Sequence, residues 1–311
     1  MKEKIIKITV ILIVLAILIS VATVAYFMLA EIETHILPNE NTYTCNIEQR
    51  KFMNRNVFIL TPKNVEKTDM VILYFHGGSY MAGITNEHWN FLEKVINNTG
   101  ATVILPDYPL SPKHNYKDVF NMVEPLYIDI LSKIDTNNLI VMGDSAGGGL
   151  ALALEEKIVM DSNLNKDNAN NDEKVNYNLP KKTVLISPWL DVRLENSKID
   201  EVQKLDKDLN KETLKLAGIA YAGKDGIDSY LVNPIDGDLS KLNYITIFTG
   251  TYDILNPDVD VLEEKAKNQG ITINVKEYEG ASHIWILKDN EEENELINQG
   301  FNDLIETLKT N

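Results

Sequence analysis

The stretch Leu139-Ile140-Val141-Met142-Gly143-Asp144-Ser145-Ala146-Gly147-Gly148 decides how the rest of the chain is read. Its first four residues form a short apolar run of the kind that makes a buried strand, and a helical pattern over 148–160 follows at once. Between them, Gly143-Asp144-Ser145-Ala146-Gly147 matches G-x-S-x-G in the strand–turn–helix setting that this motif requires. The reason is steric: a sharp turn drives the serine out of the sheet, and flanking glycines let neighbouring backbone pass close by. A serine so placed sits at a helix N-terminus, where backbone N–H groups favour negative charge. Taken alone, the pentapeptide also fits a phosphate-binding loop or a plain tight turn, so its surroundings carry the decision.

Upstream, His76-Gly77-Gly78-Ser79 ends the apolar run 71–75. A glycine pair after a strand is often only a turn, but here the Gly77 and Gly78 amides, with that of Ala146, are candidate donors to an oxyanion. Downstream, a serine nucleophile needs a general base, and the base needs an orienting carboxylate. The chain has five histidines. His35, His76, His88 and His114 all precede the serine and read as structural or surface residues, whereas His283 follows the last apolar strand in Gly280-Ala281-Ser282-His283. Asp253 follows the apolar run 245–248 through Thr249-Gly250-Thr251-Tyr252 and is the candidate acid. Asp258 is the runner-up, in a position that also suits a helix N-terminus. The order Ser145, Asp253, His283 is that of the α/β-hydrolases.

Further out, the segments 42–48 and 56–60 alternate as strands entering the sheet. Apolar runs recur at 71–75, 102–105, 139–142, 183–186, 245–248 and 273–278, separated by helical patterns at 87–97, 117–131 and 259–268. Strands alternating with helices predict an α/β fold with a mostly parallel sheet covered on both faces. The Asn-, Asp- and Lys-rich segment 161–178 has almost no apolar content and is expected to be a long surface loop. In 196–221, Leu205, Leu209, Leu214, Leu216 and Ala217 recur at roughly helical spacing, which predicts an amphipathic excursion from the sheet.

With these motifs assembled, the chain resembles the hormone-sensitive-lipase-like esterases of the α/β-hydrolase fold, bacterial acetyl esterases and carboxylesterases among them. The resemblance runs from about 71 to 287. Its carriers are Tyr74-Phe75-His76-Gly77-Gly78, Pro106-Asp107-Tyr108-Pro109-Leu110-Ser111-Pro112, Gly143 to Gly148, Ser187-Pro188-Trp189-Leu190-Asp191, and Gly250 to Leu255 with His283. It implies a central sheet of about eight strands and a small helical cap, here expected from 31–55 and 192–230. It also implies hydrolysis of short-acyl esters by Ser145, Asp253 and His283, with Gly77, Gly78 and Ala146 as oxyanion donors. Ser79 departs from the third glycine of many members and is expected to alter the pocket. Tyr80 and Trp89 are candidates for the pocket wall or for the core, and Asp107, Tyr108 and Trp189 for packing beneath the site. Two other readings share this fold: a catalytically silent binding module, and a peptidase, which typically carries an additional large domain.

The remaining features bound location and partners. No charged residue occurs from Ile8 to Ala30, and at about 1.5 Å per residue that stretch covers a hydrocarbon core of roughly 30 Å. Lys2, Lys4 and Lys7 precede it and Glu31 and Glu33 follow, so a membrane anchor over 8–30 would leave the folded domain outside the cytoplasm. Were the segment cleaved as a signal peptide, the protein would be secreted. Cys45 is the single cysteine, which rules out an intrachain disulfide, and it reads as a partly buried thiol in a strand. The formal net charge of −16 repels a phosphate backbone and argues against nucleic acid as a partner. No Cys/His cluster has metal-ligand spacing, and the chemistry read from the motifs needs neither a metal nor an organic cofactor.

Overall fold

Among the described residues, eight strands form one sheet in the order β1-β2-β4-β3-β5-β6-β7-β8. The computed structural model describes residues 38, 42–167, 178–289 and 294–310, all within the unit His35–Asn311. The expected anchor 8–30, His35 and most of the N-terminal cap segment lie outside the described residues. Among those described, no helix is long and apolar enough to cross a membrane.

The strands are β1 (Asn46–Phe52), β2 (Arg55–Thr61), β3 (Val71–Phe75), β4 (Thr102–Pro106), β5 (Leu139–Asp144), β6 (Lys182–Ile186), β7 (Tyr244–Gly250) and β8 (Ile273–Tyr278). Only β2 runs against its neighbours; β4-β3-β5-β6-β7-β8 pair in parallel. The helices are α1 (Asn86–Thr99), α2 (Tyr116–Leu131), α3 (Ala146–Asp167), α4 (Ile199–Val202), α5 (Lys211–Ala222), α6 (Asn256–Asn268) and α7 (Asn294–Lys309).

The central strands β3, β5 and β6 are buried on every residue and largely apolar because both faces are covered. In β3, Val71, Leu73 and Phe75 join a core with residues of α2, α3, α5 and α6, while Ile72 and Tyr74 join a second core with residues of α1 and α7. Such a sheet places the loops after each strand along its C-terminal edge, where sites of open α/β sheets are built.

Three expectations need correction. The first strand runs over Asn46–Phe52, four residues later than the alternation at 42–48 suggests. Its register is set by the tight turn at Met53 and Asn54, both at positive φ (45° and 65°), which pairs Phe52 with Arg55 and Asn46 with Thr61. As an edge strand it is polar and mostly exposed, so hydrophobic alternation cannot reveal it. Cys45 is nevertheless buried, just before the strand, and burial foremost pushes its thiol up to about 11. Second, the segment expected as a loop from 161 is helical as far as Asp167, because α3 continues beyond its buried part; 168–177 lie outside the described residues. Third, the excursion between β6 and β7 contains two helices, and Leu205 and Leu209 lie between them in a turn built around Asp206. Leu214, Ala217 and Tyr221 of α5 face inward, whereas Leu216 is 66% exposed.

Candidate active site

Ser145 sits between β5 and α3 with φ at 52°, a left-handed conformation rare for a serine. The glycines around it explain how the turn closes. A Cβ at Gly147 would stand 2.0 Å from the Phe75 carbonyl oxygen, and one at Gly143 would stand 2.4 Å from that of Gly147. The Ser145 N–H donates to Ile186 O, and Ser145 O accepts from the Trp189 N–H, so the turn is bolted to the neighbouring β6 segment.

Two loops along the same sheet edge bring the partners. His283 Nε2 lies 2.9 Å from Ser145 Oγ, and its Nδ1 lies 2.8 Å from Asp253 Oδ2. With Nδ1–H donating to the carboxylate, Nε2 is left to accept from the serine hydroxyl. The other Asp253 oxygen accepts from the Leu255 N–H, which fixes the carboxylate. Asp253 is fully buried and His283 nearly so. Burial of the ring disfavours its charged form, but Asp253 foremost, with Asp206 and Asp144, outweighs this, and His283 is held above the ordinary imidazole range. The acid and base loops also lock to each other: the Thr251 and Tyr252 N–H groups donate to Tyr278 O and Ala281 O.

The oxyanion loop after β3 differs from expectation in one donor. The Gly77 N–H donates to Asp144 Oδ1 at 3.0 Å, so it is already spent. Asp144 Oδ1 also accepts from the Tyr74 hydroxyl at 2.6 Å and lies 3.4 Å from His88 Nε2. Burial alone would raise the Asp144 pKa, but His88, Tyr74 and His76 outweigh it and hold the carboxyl low. Gly78 (φ 111°) and Ser79 (φ 55°) turn the chain over the elbow, and the amides of Gly78, Ser79 and Ala146 engage no acceptor among the described residues. Behind the loop, the His76 ring stacks on Tyr108 with centroids 4.3 Å apart, and the Tyr108 hydroxyl donates to His76 O.

The other candidates fall into two groups. Tyr80 is buried near the elbow, stacked on Tyr221 of α5 at 3.5 Å and on Trp189 at 5.8 Å. Trp89 lies elsewhere: it packs edge-on to Phe58, 5.1 Å away, in the core under α1, because it occupies that helix's apolar face. Asp258, the alternative acid, accepts from Asn196 Nδ2 in the first turn of α6 and makes no bond to His283. Burial pushes it up to about 7. His88 is built into the start of α1, its Nδ1 accepting from the Thr85 N–H, and His114 lies 3.6 Å from Asp118 on the surface. Sequence reasoning missed Tyr221, which carries no motif, and gave no role to Ser187 of the Ser187–Asp191 motif, whose Oγ accepts from the N–H of Ile284, the residue after His283.

Comparisons with known proteins agree with this fold. The family described as alpha/beta hydrolase fold matches residues 72–287. An esterase of Acinetobacter venetianus is 30% identical over 213 residues, covering 68% of this chain and 65% of that protein. An acetyl-hydrolase of Streptomyces hygroscopicus is 26% identical over 217 residues, covering 69% and 67%. The matches thus span about two thirds of these relatives' own lengths or slightly less. A crystal structure of an esterase from the bacterial hormone-sensitive lipase family superposes with a TM-score of 0.73 at 22% identity, covering 88% of this chain and 87% of that one. The chain therefore belongs to the α/β-hydrolase fold family.

Proposed function

We propose that the chain is a carboxylesterase that hydrolyses short-acyl esters through an acyl-enzyme on Ser145. The observation that carries the reading is the hydrogen-bonded line from Ser145 Oγ through His283 to Asp253, at 2.9 and 2.8 Å. In the first step Ser145 Oγ attacks the ester carbonyl carbon while its proton passes to His283 Nε2. The negative oxygen is received by the amides of Gly78, Ser79 and Ala146, a donor typically being worth about 3 kcal/mol in such a hole. His283 then returns the proton to the departing alcohol. Water enters, gives a proton to His283 and attacks the acyl carbon, and the free acid leaves with Ser145 restored.

Short acyl chains are favoured because Tyr80, Trp189 and Tyr221 fill the space beside the elbow. The name of the Streptomyces relative, an acetyl-hydrolase, points the same way. The excursion carrying α4 and α5 acts in this reading as a cap. Residues 8–30 tether the domain outside the membrane, where acyl groups on envelope polymers or exogenous esters are within reach. A silent binding module of this fold needs no intact triad, so activity separates the two.

The test is hydrolysis of p-nitrophenyl acetate, butyrate, octanoate and palmitate by the wild type beside Ser145→Ala. Activity on the short esters that the variant lacks supports the proposal; equal rates from both proteins would end it.

A further inference from the structure

We infer that the turn Asp206–Leu209, in the excursion between β6 and β7, positions the acid–base pair of the triad, with Asp206 and Lys288 as the side chains that do so. This deepens the esterase proposal and rests on it. The Asp206 carboxylate accepts three backbone N–H groups. Two, from Asp208 and Leu209 at 2.8 Å each, close the turn itself. The third comes from Ile254 at 2.9 Å, the residue directly after the candidate acid Asp253. Two residues further along the turn, Asp208 pairs with Lys288 Nζ, which also donates to Ser282 Oγ at 2.7 Å. Ser282 directly precedes the candidate base His283. One short turn is thus bonded to the neighbour of the acid and, through one lysine, to the neighbour of the base.

The turn is rigid enough to transmit position. Gln203 Nε2 donates to Leu209 O, and Gln203 Oε1 accepts from the Lys211 N–H, so the segment between α4 and α5 is braced across its mouth. Asp206 is also nine-tenths buried. Were its role only to shape the turn, one carboxylate oxygen would suffice, since Oδ1 takes both local bonds. Oδ2 is spent on the acid loop instead.

Burial of the His283 ring opposes its charge, while Asp253, then Asp206, then Asp144 favour it. Among the described residues these three carboxylates favour the charged ring, and the Lys288–Asp208 pair reaches the adjoining Ser282. Asp206 therefore helps stabilise the imidazolium that forms when the serine proton is taken up. Losing that charge lowers the pKa of His283.

The experiment uses the full chain, with p-nitrophenyl acetate as substrate and Ser145→Ala as the inactive reference. Asp206→Asn should lower kcat by about 10- to 100-fold while KM stays within about twofold, the pattern of a misplaced catalytic group. The acid limb of its kcat/KM profile should move to lower pH. Lys288→Met should lower kcat by about tenfold, and Lys288→Arg should recover most of it. Thermal unfolding reports whether each variant is folded. A folded Asp206→Asn with wild-type kcat and an unmoved acid limb, or with a loss confined to KM, overturns the inference. If Asp206→Asn does not fold, the lysine pair decides, and equal kcat in Lys288→Met and wild type overturns it. A wild type inactive on every ester refutes the esterase proposal and this inference with it, whereas an active wild type with indifferent variants refutes this inference alone.

Discussion

At Ser145 the backbone is held where a serine typically loses about 1–3 kcal/mol, so the surrounding structure must over-determine it. The turn's bonds to Ile186 and Trp189, and the glycines that admit them, are that structure. The strain directs Oγ at a base that is buried yet held above the usual imidazole range. The sign for activity follows, because only the neutral ring accepts the serine proton. Esterase activity should fall as pH drops through the pKa of His283, with a midpoint above that of a free imidazole, and a pH series of kcat/KM on p-nitrophenyl acetate measures it. Ser79 offers a second test. Its φ of 55° suits glycine, and the proposal uses only its amide, so Ser79→Gly should keep kcat/KM within about threefold of wild type. A loss of about 100-fold would show that the hydroxyl itself takes part.

The elements turn such positions into an edge. The serine, acid and base loops follow β5, β7 and β8, and parallel pairing through β6 sets their spacing. Ile72 is fully buried in the core under α1 and α7, and Ile72→Ala should destabilise the fold by about 2–5 kcal/mol in chemical denaturation. Helix α3 holds a less ordinary group: Glu155 is fully buried, accepts from the Thr183 hydroxyl, and is pushed up to about 8 by burial. Its folded pKa exceeds its unfolded one, so between roughly pH 4.5 and 8 the folded state binds more protons and stability falls as pH rises. Glu155→Gln retains an acceptor for Thr183 and removes that loss. It should raise Tm at pH 8 and change it little near pH 4, as differential scanning calorimetry at the two values would show.

For the molecule as a whole, the proposed tether is tested apart from the chemistry. If residues 8–30 anchor the protein, the full chain should stay with membranes through an alkaline carbonate wash, and a chain beginning at residue 31 should be released while keeping its esterase activity. Release of the full chain by the wash would remove the tether from the proposal.

What the sequence determined by itself was the part governed by local pattern and steric need. Short apolar runs, buried almost throughout, announced β3 to β7, and the glycines of the elbow announced a turn only they permit. Chain order singled out Ser145, Asp253 and His283 as candidates, because each lies just beyond a strand that the pattern already showed. The polar edge strand β1 was illegible past its first residues, since neither of its faces is buried and its register belongs to the turn at Met53 and Asn54. Long-range pairing decided the rest. That Gly77 spends its amide on Asp144 depends on two loops meeting across 67 positions. The stack of Tyr80 on Tyr221, the removal of Trp89 to the α1 core, and the joining of Asp206 to Ile254 likewise bring together residues with no motif between them. Spacing along a chain encodes which way a side chain faces; only the packing of distant elements settles what it meets there.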